Sequence, residues 1–145
     1  MPFYRRTHVI LLLGISAVPV TFLLWSFATF GSVRVGVACL RGATVAAETP
    51  RLFAGRGKPG QQLRVLPSIV NLSNQALRVS GATKSCACLM TDQFPLELPP
   101  KQTLQIPIDI QLGDKSGEFS HQIVFYVETE TQVPIMFIIN GAVEQ

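Results

Sequence analysis

Between Leu104 and Leu112 apolar and polar residues alternate without a break. Leu104, Ile106, Ile108, Ile110 and Leu112 are separated by Gln105, Pro107, Asp109 and Gln111. A period of two sends every second side chain to the same face of an extended chain. Such a segment is predicted to be a strand with one dry face and one wet face. Pro107 has no N–H to give to a ladder, so the strand is placed at a sheet edge or with its proline at a non-bonded position. The same pattern returns downstream. Asp114-Lys115-Ser116-Gly117 reads as a turn, then Phe119, His121, Ile123, Phe125 and Val127 alternate. After a polar turn from Glu128 to Gln132, the inward set continues through Val133, Ile135, Phe137, Ile139 and Val143.

Upstream, Leu63 to Leu72 and Ala76 to Thr83 are apolar and β-branched enough for two more strands, separated by Ser73-Asn74-Gln75. A first strand is placed at Cys39 to Ala46, and Gly55-Arg56-Gly57-Lys58-Pro59-Gly60 is assigned to a loop. Six or seven short strands with no second helix predict an all-β chain, an Ig-like antiparallel β-sandwich. One segment does not fit that class. From Val9 to Phe30 the chain carries no charge. Twenty-two helical residues would reach ~33 Å, enough for a ~30 Å hydrocarbon core. Arg5 and Arg6 precede the run, and the next charge is Arg34, which places the N-terminus inside and the remainder outside. Trp25 and Phe27 suit the outer interface, and Pro19 is tolerable in a membrane helix. The expected organisation is a cytoplasmic N-terminus over 1–8, a transmembrane signal anchor over 9–30, a juxtamembrane segment over 31–60, and the sandwich core over 61–145. A cleaved signal peptide ending at Ser26-Phe27-Ala28 is the competing reading, although its apolar region would be shorter.

Specific residues then add a resemblance. Val70-x-Leu72-x-Asn74, Ala76-Leu77-x-Val79-x-Gly81 and Ser85-Cys86-Ala87-Cys88 occur in that order. Leu98-Pro99-Pro100, the alternation from Leu104, Gly117-x-Phe119 and Gly141-x-Val143 follow. Together, over about residues 60–145, they resemble the bacterial domain-of-unknown-function 1573 family, Ig-like domains related to the ASH/MSP/hydin modules. The family usually carries Cys-Gly-Cys and a Pro-Gly-Glu turn. Here Ala87 replaces the glycine and Pro100-Lys101-Gln102 stands at the turn. The resemblance implies an extracytoplasmic domain, often tethered to a membrane, with no established catalytic activity.

Cys86 and Cys88 are the leading chemical feature. On a regular strand their Cα atoms would lie ~6.6 Å apart, at the upper end of the range a disulfide spans. A bridge therefore requires a bent or bulged backbone. Three readings stay open: a structural pair, oxidised or as packed thiols; a soft-metal site; or a redox-active thiol pair. For the metal reading copper as Cu(I) is the cofactor, with Met90 continuing the row and His121 approaching from another strand. Otherwise no cofactor is expected. Cys39 makes the cysteine count odd.

Conventional catalysis finds little support, and the chain is expected not to be an enzyme. Its histidines are His8 and His121, and no serine-hydrolase or zinc-protease motif is present. Asp109 and Asp114 read as solvated carboxylates. Asn71-Leu72-Ser73 is a formal glycosylation triplet inside a predicted strand. Charge is uneven: residues 31–80 hold seven basic side chains and Glu48, whereas 81–145 hold three lysines and eight acids. Arg34, Arg41, Arg51, Arg56 and Lys58 define a basic juxtamembrane face that would meet anionic headgroups or an acidic partner. No aromatic interleaving suggests nucleic acid, and no small-molecule substrate is expected. The sequence thus leads to a single-pass inner-membrane protein whose periplasmic Ig-like domain serves as a binding or assembly module. Its expected partners are the lipid bilayer and an envelope or membrane protein, met at exposed strand edges. A periplasmic Cu(I) or thiol-redox protein is the alternative.

Overall fold

The computed structural model describes residues 18–26, 28, 32–91 and 93–144. Helical backbone runs over 18–26, and a second helix spans Val33–Leu40. Eleven strands follow: β1 Val45–Ala47, β2 Arg51–Gly57, β3 Gln62–Val65, β4 Ser68–Asn71, β5 Leu77–Lys84, β6 Leu89–Thr91, β7 Leu96–Leu98, β8 Thr103–Gln105, β9 Ile108–Gln111, β10 Gly117–Glu128 and β11 Gln132–Val143. One layer is a five-stranded sheet in the order β2-β11-β10-β5-β7. Two three-stranded sheets, β3-β9-β6 and β1-β4-β8, supply the rest. Side chains from all three sheets meet in one core, including Ile69, Val79, Leu89, Ile108, Phe125 and Phe137. The all-β sandwich expected from the alternation is therefore present.

The segment 104–112 is not one strand. β8 pairs with β4, β9 pairs with β3 and β6, and the break falls at Ile106-Pro107. The segment 63–72 breaks in register with it, at Leu66-Pro67. The Ile106 amide donates to the Pro67 carbonyl at 3.1 Å, so the two crossings brace each other. Neither proline can donate to a ladder, which makes this the cheapest level for the chain to change sheets. The side-chain period survives the crossing, because Ile106, Ile108 and Ile110 are all fully buried. Pro134 is accommodated differently. It faces Tyr126 across the β10–β11 hairpin, whereas β2 joins β11 only from Ile138 onward, so no β2 partner needs its missing N–H.

Several expectations are corrected N-terminal to the core. Cys39 lies in the last turn of the helix Val33–Leu40 and not in a strand; the first strand is β1. The physical reason is the spacing of Val35, Ala38 and Cys39, which forms one helical stripe. That stripe packs on Ala46, Val70 and Leu72 as a second small core. β4 is consequently buried on both faces. The helix ends at Gly42 (φ 76°), where the Gly42 amide donates to the Cys39 carbonyl and the Ala43 amide to the Ala38 carbonyl, a glycine-terminated double hydrogen bond. Gly55 and Gly57 are not loop residues but close β2, which runs parallel to β11. The sandwich is therefore not wholly antiparallel; a period of two carries no information on strand direction. Gly55 (φ 95°) sits where the β2–β11 register shifts. Across from it, a Cβ on Gly141 would strike the Phe119 ring and approach the Gly55 carbonyl oxygen to 2.9 Å.

The turn at Pro100-Lys101-Gln102 shows how this chain manages a departure from its resemblance. Lys101 holds φ 58°, the left-handed region where a glycine is unstrained. Its ammonium donates to the Leu72 carbonyl at 2.6 Å, so the lysine ties the turn to the end of β4.

The expected membrane span, 9–30, lies largely outside the described residues. Among the described residues no helix is long and apolar enough to cross a membrane. Ser26, the start of the alternative cleavage site, is fully buried, and a Cβ on Gly36 would strike its side chain.

Candidate functional site

Among the described residues two places offer chemistry: the Cys86–Cys88 turn and the edge strand β2. The turn joins β5 in the large sheet to β6 in the opposite layer. Its entry is fastened to β10, because the Ser85 amide donates to the Gln122 carbonyl and the Gln122 amide to Ser85 Oγ, both at 2.9 Å. Its exit is fastened to β9 by the Gln111 amide, which donates to the Cys88 carbonyl. Changing layers forces the backbone to bend. The Cα atoms of Cys86 and Cys88 lie 5.1 Å apart, closer than on a regular strand, and the two are disulfide-bonded. The Cys88 amide donates to Cys86 Sγ at 3.0 Å.

The β5–β10 register, with Lys84 opposite Ile123, carries on to bring Cys86 level with His121. His121 Nε2 stands 3.5 Å from Cys88 Sγ. Its ring stacks on Phe119, with centroids 5.2 Å apart. The ligand atoms of Cys86, Cys88 and His121 all lie within 4.8 Å of one another, each half-buried. Met90 is not on that side of β6. Leu89 is fully buried, whereas Met90 is exposed and faces Asp109 across the β6–β9 pair. Two bridged sulfurs offer no thiolate, so metal ligation at this turn requires reduction first.

Asp109 is held elsewhere. The Arg64 guanidinium grips both of its oxygens, at 2.6 and 2.9 Å. That hydrogen-bonded pairing holds the Asp109 carboxyl below its ordinary range. A lowered carboxylate contributes stability above its unfolded-state value and loses it as pH falls through the lowered one. Arg64→Met is therefore expected to destabilise the fold at neutral pH, with the difference from the parent chain shrinking as pH falls toward strong acid. Urea unfolding midpoints across that range check it. Asp114 lies in the turn before β10, whereas Asp109 stands on β9 with Arg64 as its partner.

The basic residues do not gather at one point. Arg34 and Arg51 line a groove with Glu48, Met136 and Ile138 beside the start of the helix Val33–Leu40. Arg41 caps that helix. Arg56 pairs with Glu144 at 3.4 Å near the far end of β2, and Lys58 follows in the turn. Of the five, Arg51 and Arg56 lie on β2, the edge strand of the large sheet, whereas Arg34 and Arg41 belong to the helix and its cap. Between Arg51 and Arg56 stands Phe53, 71% exposed. It adjoins Asn140 and lies diagonal to Ile138, with exposed Met136 further along the same face of β11. An apolar anchor with a charged rim is the composition of a contact surface. Phe53 does not stand out in the sequence, because the glycines that follow it resemble a loop; Arg51 and Arg56 on either side are its local signal.

Comparison with known proteins gives consistent results. The sequence profile of the family described as "Protein of unknown function (DUF1573)" matches residues 47–143. No protein with a curated description matches the chain. Among solved structures, the chain is similar to the ASH/PapD-like domain 7 of human CEP192, with a TM-score of 0.61 and 9% identity over 70% of this chain and 86% of that one. It is similar to the periplasmic chaperone SfaE, with a TM-score of 0.55 and 11% identity over 70% of this chain and 58% of that one. The Salmonella enterica complex of SafA pilin with the SafB chaperone gives a TM-score of 0.52 and 13% identity, over 69% of this chain and 54% of that one. At such identities the likeness concerns the fold, which is that of a PapD/MSP-like Ig domain.

Proposed function

Because the chain belongs to the DUF1573 family, we propose that it is a membrane-anchored, extracytoplasmic binding module that captures a protein partner on the β2 edge. The observation that carries the reading is that edge. Among the described residues β2 pairs with β11 on one side only, and it presents Phe53 outward between Arg51 and Arg56. Unpaired backbone groups on such an edge accept an added strand, while an exposed aromatic supplies the anchor. The partner's matching chemistry is an extended segment with an apolar side chain flanked by acids. Similar folds lend support: one is a periplasmic chaperone, and another comes from a complex of a pilin with a chaperone. Anchoring rests on the uncharged run Val9–Phe30 behind Arg5 and Arg6. An envelope protein in the same compartment is the partner class that this placement supplies.

Phe53→Glu tests the reading. An exposed substitution leaves stability within about 0.5 kcal/mol, so the unfolding midpoint should not move. Crosslinking mass spectrometry on intact membranes should show a protein joined to β2 in the parent chain and absent from the variant. The same crosslinks, with protease access from the outer side, report topology. A monodisperse, partnerless chain after native extraction, or partner crosslinks that survive Phe53→Glu, would overturn the proposal.

A further inference from the structure

The Cys86–Cys88 turn is not needed for edge binding, yet it is built more elaborately than a staple across two residues requires. A bridge that closes so short a loop removes little chain entropy from the unfolded state. What it does achieve is to hold two sulfurs against an imidazole at the junction of the two layers. We propose that this turn is a thiol–disulfide exchange site, with His121 as its acid–base residue and thiols as its substrates.

Each group has a place in the reaction. His121 Nε2 accepts the proton of an incoming thiol, and the resulting thiolate attacks Cys86 Sγ. A new S–S bond forms between the donor and Cys86 while the Cys86–Cys88 bond breaks. The electron pair leaves on Cys88 Sγ, which lies 3.5 Å from His121 Nε2 and takes the proton back from it. A second donor thiol gives its proton to water, and its thiolate attacks the donor sulfur of the mixed disulfide and expels Cys86 as a thiolate. The Cys88 amide, 3.0 Å from that sulfur, stabilises the charge before water supplies the proton. In total two donor thiols become one disulfide, and the cystine gains two electrons and two protons. The choice of Cys86 as the attacked sulfur follows from the leaving group, since the imidazole is next to Cys88. Phe119 stacks on the imidazole and fixes its plane. An open groove lined by Asp114, Lys115, Ser116, Phe119 and His121 gives donors a path to the ring.

The test uses the full chain carrying Cys39→Ser, which removes the third thiol, with reduced glutathione as the probe. The bridge is expected to open in the folded protein and to re-form with glutathione disulfide. General acid–base groups contribute on the order of 10²–10⁴-fold in enzymes, so His121→Asn should slow opening by at least about tenfold and flatten its pH profile. Cys88→Ser keeps the attacked sulfur without its resolving partner. Offered glutathione disulfide, it should take up and hold one glutathionyl group on Cys86 with release of one glutathione, a mixed disulfide read by mass. A bridge that glutathione cannot open without unfolding the chain would overturn the inference. So would equal opening rates and pH profiles with and without His121. Stoichiometric Cu(I) binding to the reduced chain, lost in Cys86→Ser and unaccompanied by exchange, would replace it with a metal site.

Discussion

Asn71→Leu is expected to lower the unfolding free energy by about 3 kcal/mol, because one buried amide satisfies several backbone groups at once. Asn71 is fully buried at the end of β4. Its Nδ2 donates to the carbonyls of Gln75, Leu98 and Pro99, at 2.8, 3.0 and 3.1 Å. Its Oδ1 accepts from the Ser73 amide at 2.9 Å and from Ser73 Oγ at 2.7 Å. Leucine fills a similar volume but leaves those donors and acceptors facing an apolar group, with the Leu98 carbonyl in a buried position. Asn71→Asp is expected to cost more, since a carboxylate would face three carbonyl oxygens. Urea unfolding of both variants checks the order. Equal stability of Asn71→Leu and the parent would show that the 73–75 turn and the β7 strand end find other partners. The same geometry explains why the formal glycosylation triplet is not a surface acceptor: the amide is already engaged inside the fold.

The second large effect belongs to Phe125. Its ring is fully buried on β10, 5.8 Å from Phe137 in an edge-to-face arrangement and 6.1 Å from Phe94. Phe125→Ala removes the ring from the middle of the core, where three sheets converge and neighbours cannot collapse inward. Such truncations cost about 3–5 kcal/mol. Phe125→Leu keeps most of the volume and is expected to cost less than half as much. Thermal and urea unfolding should rank Phe125→Ala well below both. A small loss for Phe125→Ala would mean that this part of the interior is loosely packed.

Much of the fold was legible because burial on one face of a sheet forces a period of two. Phe119 to Val127 and Val133 to Val143 fall in the β10–β11 hairpin, turned at 129–131 as the polar stretch predicted. The strand upstream of the Cys turn was legible for the same reason. What the period could not report was pairing. Leu63–Leu72 and Leu104–Leu112 keep their inward sets while changing sheets at Pro67 and Pro107. The prolines were visible, but their meaning depends on what each half-strand meets. The helix Val33–Leu40 was missed because eight short residues with β-branched valines are ambiguous in isolation. Its stability comes from the buried stripe against β1 and β4. At the chemical turn, the residues Cys86, Cys88 and His121 were evident from their type. Their approach was not, since it depends on the β5–β10 register and on the bend between layers. Met90 sits in the same sequence row as the cysteines, yet that row ends at the bend, and the pleat of β6 turns Met90 outward.

The sequence by itself determined the class: alternating apolar residues can be dry only on one face of a sheet, so the chain had to build layers of strands. It also determined which side chains are inward and where turns interrupt them, both of which are local properties. Tertiary structure alone decided that β2 runs parallel to β11, that Phe53 stands on an edge between arginines, and that an imidazole meets a cystine across two layers. Those are relations between residues distant in the chain. They are set by which strands pair and in what register, and a local pattern carries no record of its partner.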